Sequence, residues 1–250
     1  MNIRAVLIGV AASGALAAPA FAQDYQAEVG ISILHLDPDV GRTDRTFGID
    51  GTWHFDPVRT QGLPLAEAAF LGRSSNISAG YAAQDRGSLD FIDLGAEFYV
   101  ENLYFAANYE RTANGSNVHD YGLRAGFLPM DGLRLTVGYD KDDLTDTDIY
   151  SVGAKYVAPL IDDSAINIEG ELGFADDSNE NVRLTVLSDY FFSHEFSAGV
   201  RFAYVDRDSG NDSFVGVGSR YFFTPVFSGE LEYLSDGDDD IWALRAALRF

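Results

Sequence analysis

No cysteine occurs among the 250 residues. Disulfide staples are therefore excluded, and a secreted form must draw its stability from packing and backbone pairing. Histidine is scarce as well, with His35, His54, His119 and His194 the four present. The sequence has no HisXXHis spacing, no GlyXSerXGly motif and no Gly-rich loop built to cradle phosphate. A catalytic zinc centre, a serine nucleophile and a nucleotide site all lack their ligands. His54 and Asp50 share a strand face, but with no nucleophile beside them they are expected to be a polar pair in the lumen wall. No catalytic residue, no bound metal and no cofactor is expected. Positive charge is also short: 17 Lys and Arg face 39 Asp and Glu, for a net charge of −22. That balance argues against nucleic acid and anionic membrane surfaces as partners. Beyond the N-terminus, no apolar run approaches the ~18 residues of a membrane helix.

What is present begins with a leader. Arg4 precedes an apolar run from Ala5 to Ala18, and Ala20-Phe21-Ala22 forms a small-x-small cleavage site. Residues 1–22 are expected to be a secretory signal peptide, leaving 23–250 as one domain. Aromatics make up 13% of the chain, too many for an acidic disordered protein. Polar and apolar residues must then be sorted in space, and the sorting has a period of two. Leu133, Leu135, Val137 and Tyr139 alternate with Arg134, Thr136, Gly138 and Asp140. Trp242, Leu244, Ala246, Leu248 and Phe250 alternate with Ala243, Arg245, Ala247 and Arg249. No 3.6-residue pattern is found after Gln23.

Fourteen strands are expected, over 25–36, 45–55, 65–81, 89–100, 102–112, 118–128, 133–141, 147–158, 165–175, 181–192, 195–206, 212–223, 227–235 and 240–250. The third does not keep one phase, and a bulge between Gly72 and Asn76 would restore it. Splitting it would give an odd number, whereas single-chain bacterial barrels have even counts. Every second connection is acidic: seven alternate windows hold 21 Asp and Glu, the six between them only 6. Only an up-and-down barrel puts alternate connections at one end. The acidic end is expected to be extracellular, with both termini periplasmic.

Outward positions carry a second signal. Tyr25, Trp53, Phe55, Phe98, Phe127, Tyr156, Tyr190, Phe192, Phe196, Tyr221, Phe223, Phe227 and Phe250 gather toward one end. Tyr81, Tyr109, Tyr121, Tyr139, Tyr150, Phe174, Tyr204, Tyr233 and Trp242 gather toward the other, with Val, Leu, Ile, Ala and Gly between. Two aromatic girdles flanking an apolar band are the surface of a transmembrane β-barrel. A soluble β-sandwich would place its aromatics mid-core instead.

The stretch WHFDPVRTQGLPLAEAAFL at 53–71, together with the terminal RAALRF ending in Phe250, resembles the porin-like proteins of the Gram-negative outer membrane. The resemblance spans the whole of 23–250 as an architecture. It implies passive diffusion through a single-domain barrel in outer-membrane lipid and lipopolysaccharide. It also implies delivery by the barrel-assembly machinery through the strand that ends in Phe250. General trimeric porins are sixteen-stranded, with a long loop folded into the pore. No connection here is expected to be long enough for that, so a monomer is expected.

With the apolar phase in lipid, the other phase lines a lumen. Its bases are Arg124, Arg134, Lys155, Arg183, Arg201, Arg220, Arg245 and Arg249. Its acids are Glu28, Asp50, Asp93, Glu97, Glu110, Glu169, Glu171, Asp189, Glu230 and Glu232. Eight-stranded barrels are filled by side chains and sixteen-stranded ones leave a channel, so fourteen strands suggest a narrow pore. One reading is a transverse field, with Asp93, Glu97 and Glu110 facing a basic wall of Arg183, Arg201, Arg220, Arg245 and Arg249. The other is lateral pairing that only stabilises the wall. The acidic loops 140–148, 206–212 and 235–240 lack the Gly and Glu placement of an EF-hand and are expected to be a solvated mouth. The function expected is passage of ions and small polar solutes. The alternatives are a non-conducting structural or adhesion-type barrel and, less favoured, an outer-membrane hydrolase.

Overall fold

The structure, a computed structural model, describes residues 24–39, 41–86, 89–114, 117–143, 146–176, 182–207 and 210–250. The signal peptide expected over 1–22 lies outside the described residues. Among the described residues there are fourteen strands. The first seven are β1 (Tyr25–Pro38), β2 (Asp44–Val58), β3 (Asn76–Gln84), β4 (Leu89–Val100), β5 (Leu103–Asn114), β6 (Asn117–Met130) and β7 (Leu133–Asp142). The others are β8 (Thr147–Pro159), β9 (Ala165–Ala175), β10 (Val182–Phe191), β11 (Phe196–Arg207), β12 (Gly210–Thr224), β13 (Phe227–Ser235) and β14 (Asp239–Arg249). Each pairs with its sequence neighbours, and β14 returns to β1 to close the barrel. The seam is continuous from Glu28 opposite Arg249 to Pro38 opposite Asp239. At its end the Phe250 carbonyl accepts from the amides of Gln26 and Ala27 at 2.9 and 2.8 Å.

Alternation sets which way each side chain points. On β8, Tyr150, Val152 and Tyr156 are exposed on the outer surface, while Ile149, Ser151 and Val157 between them are buried. The outer apolar side chains form a continuous band, with Val137 and Val215 each 60% exposed. A band of that extent facing water would lose the whole hydrophobic driving force, so its solvent is hydrocarbon. Both girdles are present, with one exception. Tyr25 is buried on the inside, its ring edge-on to His54 at 5.5 Å and beneath the Arg249 guanidinium. The register shift between Tyr25 and Ala27 turns it inward.

The strand expected over 65–81 is corrected in its first half. Leu65–Glu67 is a 3-10 turn, Ala68–Leu71 a single α-helical turn (α1), and β3 starts only at Asn76. Alanine, leucine and glutamate favour helix, and Pro64 fits a helix start. The Gly72 amide closes the turn on the Ala68 carbonyl at 2.9 Å. The deciding factor is position: this stretch leaves the wall and has no neighbouring strand. Its backbone groups must be satisfied locally, which a helical turn does. The same finding overturns two other expectations. A short 3.6-period element exists, and the connection of residues 59–75 is long enough to fold inward. It lies at the end of the barrel that carries both termini.

The orientation of β7 can be checked directly. Val137→Arg, on the outer face, should destabilise the barrel in lipid vesicles by about 2–4 kcal/mol. Thr136→Arg, one residue away on the inner face, should cost clearly less. Urea titration of folded protein in vesicles reads both. Equal costs would mean the outer face does not meet lipid.

Candidate functional site

The inner wall organises its charges into networks that lie along the wall. Glu28 on β1 sits at the centre of the largest. Its carboxylate meets Arg249 Nε at 2.6 Å, Arg245 Nη2 at 2.9 Å and Arg220 Nη2 at 3.5 Å. Arg245 also reaches Asp50 at 3.4 Å and Glu230, which in turn binds Arg220 at 3.2 Å. This group joins three bases to three acids across β12, β13, β14, β1 and β2. A second network runs Asp189–Arg201–Glu232, with contacts of 2.8 and 2.9 Å. A third runs Asp140–Arg124–Glu171, at 2.8 and 3.0 Å. The fourth joins Glu67, Lys155, Glu169, Arg134 and Glu97, with Lys155 3.0 Å from Glu67 and 3.1 Å from Glu169.

Two glycines make the long spans possible. Arg201 on β11 crosses β12 to reach Glu232 on β13 because Gly218 lies beneath it. A Cβ there would be 2.9 Å from the guanidinium. Arg124 on β6 crosses β7 and β8 to reach Glu171 on β9. A Cβ on Gly138 would sit 2.6 Å from its side chain. Buried ions are tolerated only when paired and hydrogen-bonded, and these crossings give each guanidinium a second carboxylate.

Among the sequence-derived lumen residues, Asp93, Glu110 and Arg183 lie outside the ion pairs of the four networks traced above. Arg183 faces Gly173 and Val205 on its neighbouring strands. Glu110 lies between Asp93 on β4 and Asp120 on β6, and accepts from Thr112 Oγ1 at 3.4 Å. The residues expected to form a basic wall bring their own counter-charges, since Arg201, Arg220, Arg245 and Arg249 each touch a carboxylate on that wall. Asp50 pairs with Arg245 and not with His54. Among the described residues, no group of three or more His, Asp or Glu side chains is placed to hold a metal ion.

Sequence reasoning missed Glu67 and Asp140. Asp140 simply continues the inward phase of β7. Glu67 belongs to the inward-folded connection, which crosses the termini end of the barrel. The Leu65 amide donates to the His194 carbonyl in the β10–β11 turn at 2.8 Å, and Arg249 Nη1 donates to the Leu65 carbonyl at 2.9 Å. Glu67 anchors on Lys155 of β8, while Phe70 lies under the cations of Lys155 and Arg134 at 5.0 and 5.4 Å. Arg73 then reaches Asp131 in the β6–β7 turn at 2.8 Å and Asn102 in the β4–β5 turn at 2.9 Å. Ala68 and Val58 are fully buried with Tyr25, and Leu63 and Ala69 pack against them. Inner residues from strands far apart around this end are buried too: Tyr104, Leu128, Val157, Phe191, Phe222 and Ala247. The signal that could have found this element is Pro64, then helix-forming residues, then Gly72, in a stretch whose strand phase fails.

A closed barrel with an ion-paired interior and an apolar exterior is the architecture of an outer-membrane barrel. A family described as "Putative general bacterial porin" matches residues 1–141, more than half of the 250. The chain belongs to that family. Its fold is similar to that of the Acinetobacter baumannii outer membrane protein Omp33, with a TM-score of 0.77 and 26% identity over 91% of this chain and 99% of that one. It is also similar to a triple mutant of the Rhodopseudomonas blastica porin, with a TM-score of 0.50 and 13% identity over 91% of this chain and 99% of that one. At 13% identity the likeness shows the fold alone. No curated protein matches the chain. The porin family and its outer-membrane barrels point to a channel rather than an enzyme, seated in the outer membrane.

Burial pushes the Glu67 carboxyl above the usual glutamate range, against the pull of Lys155. The docked connection therefore binds that proton more tightly than an undocked one. By linkage, docking is favoured at low pH and weakens as pH rises through the elevated value. Conductance should accordingly climb as pH rises through that range, and Glu67→Gln should flatten the climb. Recordings at constant salt and stepped pH check this. Identical profiles for the two proteins would rule out the Glu67 latch.

Proposed function

We propose that this porin is a low-conductance diffusion channel for ions and small polar solutes, narrowed at one end by the connection of residues 59–75. The observation that carries the reading is the ring of buried inner residues beneath that connection, drawn from Tyr104 on β5 round to Ala247 on β14. The charged remainder of the lumen supports aqueous passage, because unpaired or half-paired ions without water would be prohibitively costly at membrane depth. The termini end faces the periplasm, and the acidic connections form the outside mouth. The chain reaches the outer membrane by a cleaved leader over residues 1–22. The barrel-assembly machinery reads β14 and its outward Phe250. The barrel is a monomer in outer-membrane lipid and lipopolysaccharide.

A second reading has specific support. The ion networks and the inward connection together favour a non-conducting structural barrel. Planar-bilayer recording separates the two. The wild type should give small, stable steps. Replacing residues 63–74 with a short Gly-Asn turn should raise conductance several-fold. Lys155→Ala should act in the same direction, because it leaves buried Glu67 without its cation and costs about 3–5 kcal/mol of docking. Silence from both wild type and the shortened protein, each shown to be folded by heat-modifiable migration, would favour the structural barrel.

A further inference from the structure

We propose that the lumen selects cations and excludes anions, because its bases are held laterally within networks that carry surplus negative charge. The inference rests on the channel reading above and assigns it a sign.

Consider first what an entering anion would meet. Seven of the inner bases belong to the four networks, where each already touches at least one carboxylate. Arg183, on β10, is not free either. In the networks the guanidinium groups are engaged by wall carboxylates, so among these described bases an anion finds no open bidentate donor of the kind that Arg offers to carboxylate or phosphate. It would have to break a charge-assisted pair to gain one.

A cation meets the opposite situation. The Glu28 network is balanced. The Arg201, Arg124 and Lys155 networks each hold one more carboxylate than bases, so their sum is negative. The β4–β6 wall adds to this. Asp93, Glu110 and Asp120 follow one another in register, Asp93 opposite Glu110 and Glu110 opposite Asp120. Three carboxylates in successive register add their negative charge to the potential on this side of the lumen. This row continues to the mouth: Asp120 accepts the Asp143 amide at 3.0 Å, at the start of the acidic β7–β8 connection. The negative potential is therefore continuous from the mouth into the wall. Low-dielectric walls concentrate such a field, and rings of carboxylates select cations.

The test is reversal potential across a planar bilayer under a potassium chloride gradient, using the full folded barrel. Potassium should permeate in preference to chloride, less so at high salt as the field is screened. Asp93→Asn combined with Glu110→Gln should lower the permeability ratio by roughly two-fold or more. These changes are isosteric, and heat-modifiable migration confirms folding. Chloride preference in the wild type would overturn the proposal while leaving the channel reading intact. An unchanged ratio in the folded double variant would overturn it too, by moving selectivity to the acidic connections outside the lumen. Silence from wild type and from the protein with residues 63–74 shortened would remove the channel, and the selectivity with it.

Discussion

Backbone groups in hydrocarbon have no water to bond, so the wall of this protein must have no edge. The β1–β14 seam meets that constraint. It pairs eleven successive positions, from Glu28 with Arg249 to Pro38 with Asp239, and the Phe250 carbonyl takes two further amides. Closure fixes the pleat all the way round, and the pleat decides what every side chain meets. Val137 and Leu244 face lipid because Gly138 and Arg245 face in. A register slip of one residue anywhere would exchange the two sets, which is why strands such as β8 and β12 alternate between buried and exposed residues.

Once half the polar side chains are forced inward, they must be satisfied at modest dielectric. The solution adopted is lateral. Arginines lie flat against the wall, over Gly138 and Gly218, and bind carboxylates two or three strands away. Such pairs add little net stability compared with apolar packing, since desolvation offsets most of the attraction. Their consequence is shape. Side chains paired along the wall are held to it rather than extended across the barrel. At the termini end the interior is filled by an apolar cluster of Tyr25, Val58 and Ala68 beneath a backbone strap.

Much of this was legible in the sequence because period two is a local property. The run from Leu133 to Asp140 declares a strand without reference to anything else, and the acidic connections set the two ends of the barrel apart. The pairing partners were not legible. Glu28 and Arg249 are 221 residues apart, and nothing local joins them. The inward connection was hidden for a different reason. AEAAFL is short and apolar, and a short apolar run fits a strand or a helical turn equally well. The requirement for an even strand count then absorbed it into β3. The failure of phase between Ala66 and Ser75 was the informative signal, and it marked a departure from the wall rather than a bulge within it. Tyr25 was misplaced because the irregularity between Tyr25 and Ala27 depends on a pairing with β2 that the local sequence does not encode.

The strap has a property that a long loop at the opposite mouth would lack. Its anchors come from late in the chain: Leu65 is held by Arg249, 184 residues on, and by the His194 carbonyl of the β10–β11 turn. Neither anchor is in place until β14 has met β1, and Glu67 cannot be buried against Lys155 while the wall is open. The strap therefore settles after closure and draws its stability from the closed barrel. Closing so long a chain has a large entropic cost that local contacts cannot offset, and contacts that exist only in the closed state bias the equilibrium toward it. Arg249 is in both structures at once: its Nε binds Glu28 across the seam and its Nη1 binds the strap. One side chain thus couples closure of the wall to narrowing of the lumen, and loosening the strap should be felt at the seam.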